Sequence, residues 1–250
     1  MDILYFVGPE QVSLHGNQEL RWSLRSVAKY ARNLGRVIVA GYPPDWLSDE
    51  VVRFPVKDAP GDYKFWCIWK KLFAAIDAGV VQGEFLASGD DHFYTKPVDL
   101  NATPFWYRRL GILPLEEQTS GGSGYQRYLA ATRDLLIRNG FPARDCAGHC
   151  NFRLDTTDAP EVRRIVEAYK GKHRYYGFDL ASCFINVRSM REHIEWAFRK
   201  DHKVKRLAED PLAVENGQFS CDDAAFGDAT FLDYMAREFG SLCRFEKEVS

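Results

Sequence analysis

The chain predicts an α/β fold, a mainly parallel sheet flanked by helices, with a further region after residue 115. Three observations carry that expectation. Strand, helix and strand patterns follow one another within the first 40 residues, the sign of a βαβ unit. The strand-like runs are apolar throughout rather than alternating, as strands covered on both faces are. The run Glu84–Ser88 stops at Gly89-Asp90-Asp91, which puts two carboxylates at the carboxyl edge of a sheet. Ligands of open α/β sheets bind along that edge.

Taken in order, Ile3–Val7 reads as a buried first strand, ended by Gly8-Pro9. Leu20, Leu24, Val27, Ala28 and Ala31 recur at helical spacing, with Asn17 as the N-cap and Gly35 as the stop. Residues 36–40 form a second buried strand, and Val51–Val56 an edge strand limited by Pro55. From Tyr63 to Ala78 a wide apolar face (Phe65, Ile68, Trp69, Leu72, Phe73, Ile76) predicts a helix that delivers the chain into Glu84–Ser88. Tyr128–Asn139 and Ala159–Tyr169 read as helices, residues 148–155 and Ser182–Val187 as strands. A final helix carries Phe226, Phe231, Leu232, Met235 and Phe239 as its core stripe, with Asp222 and Asp223 capping it. Thr119–Gly124 is a flexible connection or a loop over the site. It lacks the Lys-Ser/Thr ending of a phosphate-binding P-loop.

Composition narrows the function classes. At 250 residues, 46% hydrophobic and 27% charged, the chain can bury a large core. A net charge of -2 gives no general attraction for nucleic acid, so basic surface must be local, at Lys170–Tyr176 and Arg199–Arg206. No apolar run suffices to span a bilayer, and the N-terminus lacks the basic start of a signal peptide. The reading is therefore a cytoplasmic protein with no membrane partner and reduced cysteines. Cys146-Ala147-Gly148-His149-Cys150 has no companion cluster to complete a zinc site, and small semi-buried thiols are the better account.

Asp90 and Asp91 are hard oxygen donors suited to Mg²⁺ or Mn²⁺, which would in turn hold a diphosphate. The plainer account is that they cap the next turn. Lys64 and Lys71 either meet a phosphate of a bound nucleotide or line a solvated face.

Three blocks together resemble the stealth family: Asn17–Val27 (Asn-Gln-Glu-Leu-Arg-Trp-Ser-Leu-Arg-Ser-Val), Pro44-Asp45-Trp46-Leu47, and Ser88-Gly89-Asp90-Asp91-His92-Phe93. Stealth proteins are sugar-1-phosphate transferases of capsule synthesis. The same blocks, with the tail Ser241–Glu246, are similar to shorter phage glycosyltransferases of GT-A type, including the group resembling the base J DNA glucosyltransferase. The chain departs from the stealth pattern at Gly89, where that pattern carries Asn, and matches its histidine motif only loosely at Gly148-His149. Both departures weigh towards GT-A.

The resemblance implies one GT-A-like domain over residues 1–250, with 1–115 holding the nucleotide sugar and 116–250 facing the acceptor. Val7 and Gly8 would lie against the nucleoside, and Arg21, Arg25 and Lys71 on phosphate. Asp90 and Asp91 would hold Mn²⁺ or Mg²⁺, with His92 as third ligand, proton carrier or orienter of Asp91. A hydroxyl acceptor also needs a base. His149 and Asp155 stand ahead of Asp179 and Asp223 for that role, beside Asp91 as the catalytic carboxylate. The leading expectation is metal-dependent transfer from a UDP-glucose-like donor to a hydroxyl, including a hydroxymethylated pyrimidine in DNA. The alternatives are a stealth-like sugar-1-phosphate transfer to a polysaccharide, and a non-catalytic nucleic-acid-binding module.

Overall fold

The computed structural model describes residues 1–9, 15–59, 64–103, 111–112, 124–145, 151–169, 178–188 and 203–247. Its first half runs β1 (Asp2–Val7), α1 (Gln18–Tyr30), β2 (Ala31–Arg32), β3 (Val37–Gly41), β4 (Val51–Pro55) and α2 (Lys64–Asp77). Then come β5 (Glu84–Ser88), β6 (His92–Tyr94), β7 (Val98–Asp99), β8 (Gly111–Ile112), α3 (Gly124–Arg138) and β9 (Arg144–Asp145). The rest comprises β10 (Phe152–Asp155), α4 (Ala159–Ala168), α5 (Leu180–Val187), β11 (Lys203–Val204), β12 (Gln218–Cys221) and α6 (Ala229–Phe239).

The main sheet has the order β10-β5-β1-β3-β4. Its β5-β1, β1-β3 and β3-β4 pairs are parallel, and β10 joins antiparallel on the far side of β5. A strand turns alternate residues to opposite faces, and both faces here are apolar. Leu4, Ile38 and Ala87 face α2, α3, α4 and α5, packing against Trp69, Leu72, Tyr128, Leu136, Val162 and Phe184. Ile3, Tyr5, Val39 and Leu86 face α1 through Leu20, Leu24 and Val27. Trp69 is 1% exposed and its indole N–H donates to the Phe178 carbonyl at 2.9 Å, so the ring is buried with its polar atom satisfied. Burying one such side chain contributes about 2–3 kcal/mol.

A second sheet, β11-β12-β6, grows from the loop after β5. Phe93 of β6 and Phe219 of β12 pack 5.0 Å apart, over a third cluster with Trp22, Phe231, Met235 and Phe239. This cluster lets α1 serve both sheets, through Leu20 and Leu24 on one and Trp22 on the other. The β2-β7 and β8-β9 pairs are short accessory ladders. No described helix is long and apolar enough to cross a membrane.

Several sequence expectations are corrected. Ser182–Val187 is helix α5, not a strand: Asp179 caps it through Ser182 N, and its burial among α3 and α4 removes any apolar-polar periodicity. α1 stops at Tyr30, well before Gly35, because Ala31 turns extended and pairs with Val98. Gly35 serves a close approach instead, since a Cβ there would stand 2.4 Å from Asp2 Oδ1. Asn17 does stand at the start of α1, with φ 58° and no side-chain cap bond. Its contribution is tolerance of the left-handed region. On α6, Phe231, Met235 and Phe239 are buried, while Leu232 is 37% exposed and Phe226 belongs to the preceding turn. The edge strand at Val51–Pro55 and the helix feeding β5 stand where expected. The glycine-rich connection, the Cys146–Cys150 cluster and the basic stretch at Lys170–Tyr176 lie outside the described residues.

Candidate active site

Because β1, β3, β4 and β5 are parallel, their carboxyl ends meet on one edge of the sheet. Tyr5 lies opposite Ser88, Val7 opposite Gly41, and Gly41 opposite Pro55. Gly8, Tyr42 and Gly89-Asp90-Asp91 therefore project from the same rim. Gly41 has φ 114°, and a Cβ on it would come 2.2 Å from the Val7 carbonyl, so only glycine fits there. The Val7 carbonyl accepts the Tyr42 amide at 3.2 Å.

Asp90 and Asp91 are half-buried at the end of β5. Burial and the neighbouring Asp91 carboxylate push Asp90 up to about 6, against the pull of Lys64. Burial acts on Asp91 too, but His92, Lys203 and Lys64 outweigh it and hold that carboxyl below its ordinary value. Lys203 Nζ stands 3.4 Å from Asp91 Oδ2, and His92 Nε2 3.5 Å from Asp91 Oδ1. Gly89 leaves room for this arrangement: a Cβ there would lie 2.6 Å from Asp91 Oδ1, so that carboxylate would have to shift.

Beneath the carboxylates runs a buried polar network. Tyr5 Oη and Ser23 Oγ are 3.0 Å apart, and Ser23 donates to the His92 carbonyl at 2.6 Å. Ser26 Oγ accepts the Tyr94 amide at 3.1 Å. Burial pushes the Tyr5 phenol up to about 12, which keeps it a neutral donor. Asn151 closes the network, with Oδ1 3.2 Å from His92 Nδ1 and Nδ2 donating to Tyr94 Oη at 2.7 Å. Ser23 and Ser26 thus tie β6 to α1, and Asn151 ties it to the strand beyond β5.

The other sequence candidates are distributed as follows. Val7 and Gly8 lie on the rim. Lys71 is 3% exposed, with Nζ 3.0 Å from Asp58 Oδ1 and 5.6 Å from the Tyr42 ring centroid. Arg21 and Arg25 converge on Glu246, at 2.8 Å and 2.6 Å. Arg21 also stacks 4.0 Å over Trp46, and Arg25 donates to the Phe239 carbonyl at the end of α6. Both guanidiniums thus hold the C-terminal segment onto α1. Asp155 is at the opposite edge of the sheet: antiparallel β10 sets it against Glu84, the first residue of β5. There it receives the Thr157 amide and the Arg188 guanidinium, away from Asp90 and Asp91. Asp179 is buried as the cap of α5, bonded to Tyr128 and Ser182. Asp223 is exposed in the turn after β12. His149 lies outside the described residues.

Nothing in the sequence itself marks Asn151 or Lys203 as site residues. Lys203 stood within a basic run without distinction. The antiparallel sense of β10, which brings Asn151 to the Asp90 edge, leaves no mark on local periodicity.

The donor chemistry at Asp90-Asp91 fits a hard divalent cation: burial first, and the adjacent Asp91 carboxylate second, make Asp90 resist ionising. Among the described residues no three His, Cys, Asp or Glu side chains are arranged to hold a metal by themselves. Such a cation would therefore be shared with water or a ligand, as Mg²⁺ commonly is with phosphates.

No protein-family model and no curated protein sequence matches the chain. Among solved structures, the galactosyltransferase LgtC in complex with donor and acceptor sugar analogs is similar, at TM-score 0.50 and 13% identity. The alignment covers 97% of this chain and 96% of that one. An active-site mutant of LgtC gives TM-score 0.50 and 14% identity over the same shares. The apo form of the glycosyltransferase GlyE from Streptococcus pneumoniae TIGR4 gives TM-score 0.47 and 8% identity, over 99% of this chain and 65% of GlyE. At these identities the likeness is one of fold: the chain has the α/β architecture of LgtC along nearly its whole length.

Proposed function

We propose that the chain is a glycosyltransferase that moves a sugar from a nucleotide sugar to a hydroxyl acceptor. The observation that carries this reading is the carboxylate pair Asp90-Asp91, on the ligand-binding edge of a sheet with the architecture of LgtC. A protein of that fold bound to donor and acceptor sugar analogs supports a nucleotide-sugar donor, with the UDP-hexoses the first class to try.

In this reading Val7, Gly8 and Tyr42 line the nucleoside side of the rim. Asp90 and Asp91 would hold Mg²⁺ or Mn²⁺, which as a Lewis acid offsets charge on the departing diphosphate. Lys203 and Lys64 supply further positive charge on the same side. The tie from Ser23 to the His92 backbone fixes the loop that carries the carboxylates, so their geometry is set before the donor arrives. Lys71, shielded and paired with Asp58, orders the segment after β4 beside the nucleoside rim.

The test is product analysis with Mn²⁺ and a panel of nucleotide sugars, against free saccharides and duplex DNA containing hydroxymethylated pyrimidines. Release of a nucleoside diphosphate with a hexose-sized gain on an acceptor is the expected result. Release of a nucleoside monophosphate would mean sugar-phosphate transfer and replace this reading with the stealth-like one. Asp91→Ala should lower turnover by at least about 100-fold while circular dichroism and melting temperature stay near wild type. An active, folded variant would remove Asp91 from the chemistry.

A further inference from the structure

The geometry points to Asn151 as a positioning residue that fixes the tautomer of His92, so that the Nε2 lone pair is turned to Asp91. This rests on the reading of Asp90-Asp91 as a cation site. Asn151 is 3% exposed, and its amide has one donor end and one acceptor end. The donor end, Nδ2, is spent on Tyr94 Oη at 2.7 Å. With the amide in this orientation the acceptor end, Oδ1, faces His92 Nδ1 at 3.2 Å, and a carbonyl oxygen there accepts a proton carried on Nδ1.

In the neutral ring Nε2 then carries no proton and stands 3.5 Å from a carboxylate oxygen of Asp91. Two acceptors facing each other repel unless positive charge stands with them. The opposite tautomer would need an Nε2–H bond to Asp91, and 3.5 Å is too long for a sound one. The structure thus spends a buried amide on turning one imidazole nitrogen towards Asp91. Histidines that ligate metals commonly donate their other ring N–H to a fixed acceptor in this way, and losing that acceptor lowers metal affinity about 10- to 100-fold. To the carboxylates of the proposed site this adds His92 Nε2, 3.5 Å from Asp91 Oδ1, with water or donor oxygens completing the cation's shell.

Two readouts independent of turnover decide it. The first is the imidazole nitrogen spectrum of His92 in ¹⁵N-labelled protein with Mg²⁺, at about pH 8.5, where an ordinary ring is neutral. A proton on Nδ1 is expected; a proton on Nε2 overturns the proposal. The second is Mn²⁺ binding without donor, read by electron paramagnetic resonance. Asn151→Leu should weaken it about 10- to 100-fold, and Asn151→Asp, which keeps an acceptor facing Nδ1, should restore it to within a few-fold. Wild-type affinity in Asn151→Leu overturns the proposal. If Asn151→Leu does not fold, Asn151→Asp and the wild-type spectrum still decide. Wild-type protein that binds no Mn²⁺ defeats the cation reading itself, and the tautomer is then judged on the nitrogen spectrum recorded without metal.

Discussion

At the scale of single residues, the site depends on what is missing at position 89 as much as on the carboxylates. A methyl group on Gly89 would fall 2.6 Å from Asp91 Oδ1 and 3.5 Å from His92 Nε2. The half-buried Asp91 carboxylate would have to shift aside and would not keep its place. Gly89→Ala should therefore lower Mn²⁺ affinity and turnover about 10-fold or more while moving the melting temperature by no more than a few degrees. Unchanged Mn²⁺ binding would show that Asp91 does not need that approach.

At the scale of elements, the segment Gly240–Lys247 acts as a strap. Ser48 N donates to the Phe245 carbonyl at 2.9 Å, Lys247 N to the Trp46 carbonyl at 2.8 Å, and Glu246 takes both arginines of α1. The Glu246 side chain is fully buried, so removing its charge strands two cations. Glu246→Gln should lower stability by about 3 kcal/mol, as breaking a buried pair does, and the melting temperature by about 6–12 °C. Burial alone would raise the Glu246 carboxyl, but Arg25 and Arg21 hold it below its ordinary value. For a depressed carboxyl the added stability is present above the unfolded value of about 4.3 and is lost as pH falls through the folded one. Wild type should thus lose its advantage over Glu246→Gln in melts taken from about pH 5 downwards. A constant gap down to about pH 2 would contradict the pairing. Such long-range partners explain what was legible in the sequence and what was not. β1, α1, β3, α2 and β5 announce themselves through local periodicity, and Asp90-Asp91 by standing at a strand end. The partner of Arg25 is set by tertiary folding alone, as is the pairing sense of β10. The resemblance drew the two arginines towards phosphate; the structure gives them a carboxylate. α5 hid for a related reason, since a helix covered all round has no polar face to betray its period.

For the whole molecule, the two halves of the chain share one core. β10 from the second half pairs with β5, and α3, α4 and α5 cover the face of the sheet on which α2 lies. A fragment of residues 1–115 would expose Trp69, Phe85 and the β5 edge together. It should show no cooperative melting and should bind hydrophobic dyes, unlike the full chain. A sharp melt of that fragment would mean the first half is a domain in its own right. The site has the same dependence: Asp91 comes from the large sheet's rim, Lys203 from the small sheet, and Asn151 from the position just before β10.

The strap also has a consequence in time. Arg21 and Arg25 are four apart on one helix, where like charges oppose helix formation. Their common counter-charge is 225 and 221 residues away along the chain. At about 5–20 residues per second of synthesis, the ribosome takes roughly 11–45 s to make that stretch. Throughout that interval α1 carries an unrelieved repulsion on the face that later receives the tail. The helix α1 is thus secured only after the strap 221–225 residues further on has been made, rather than in early collapse.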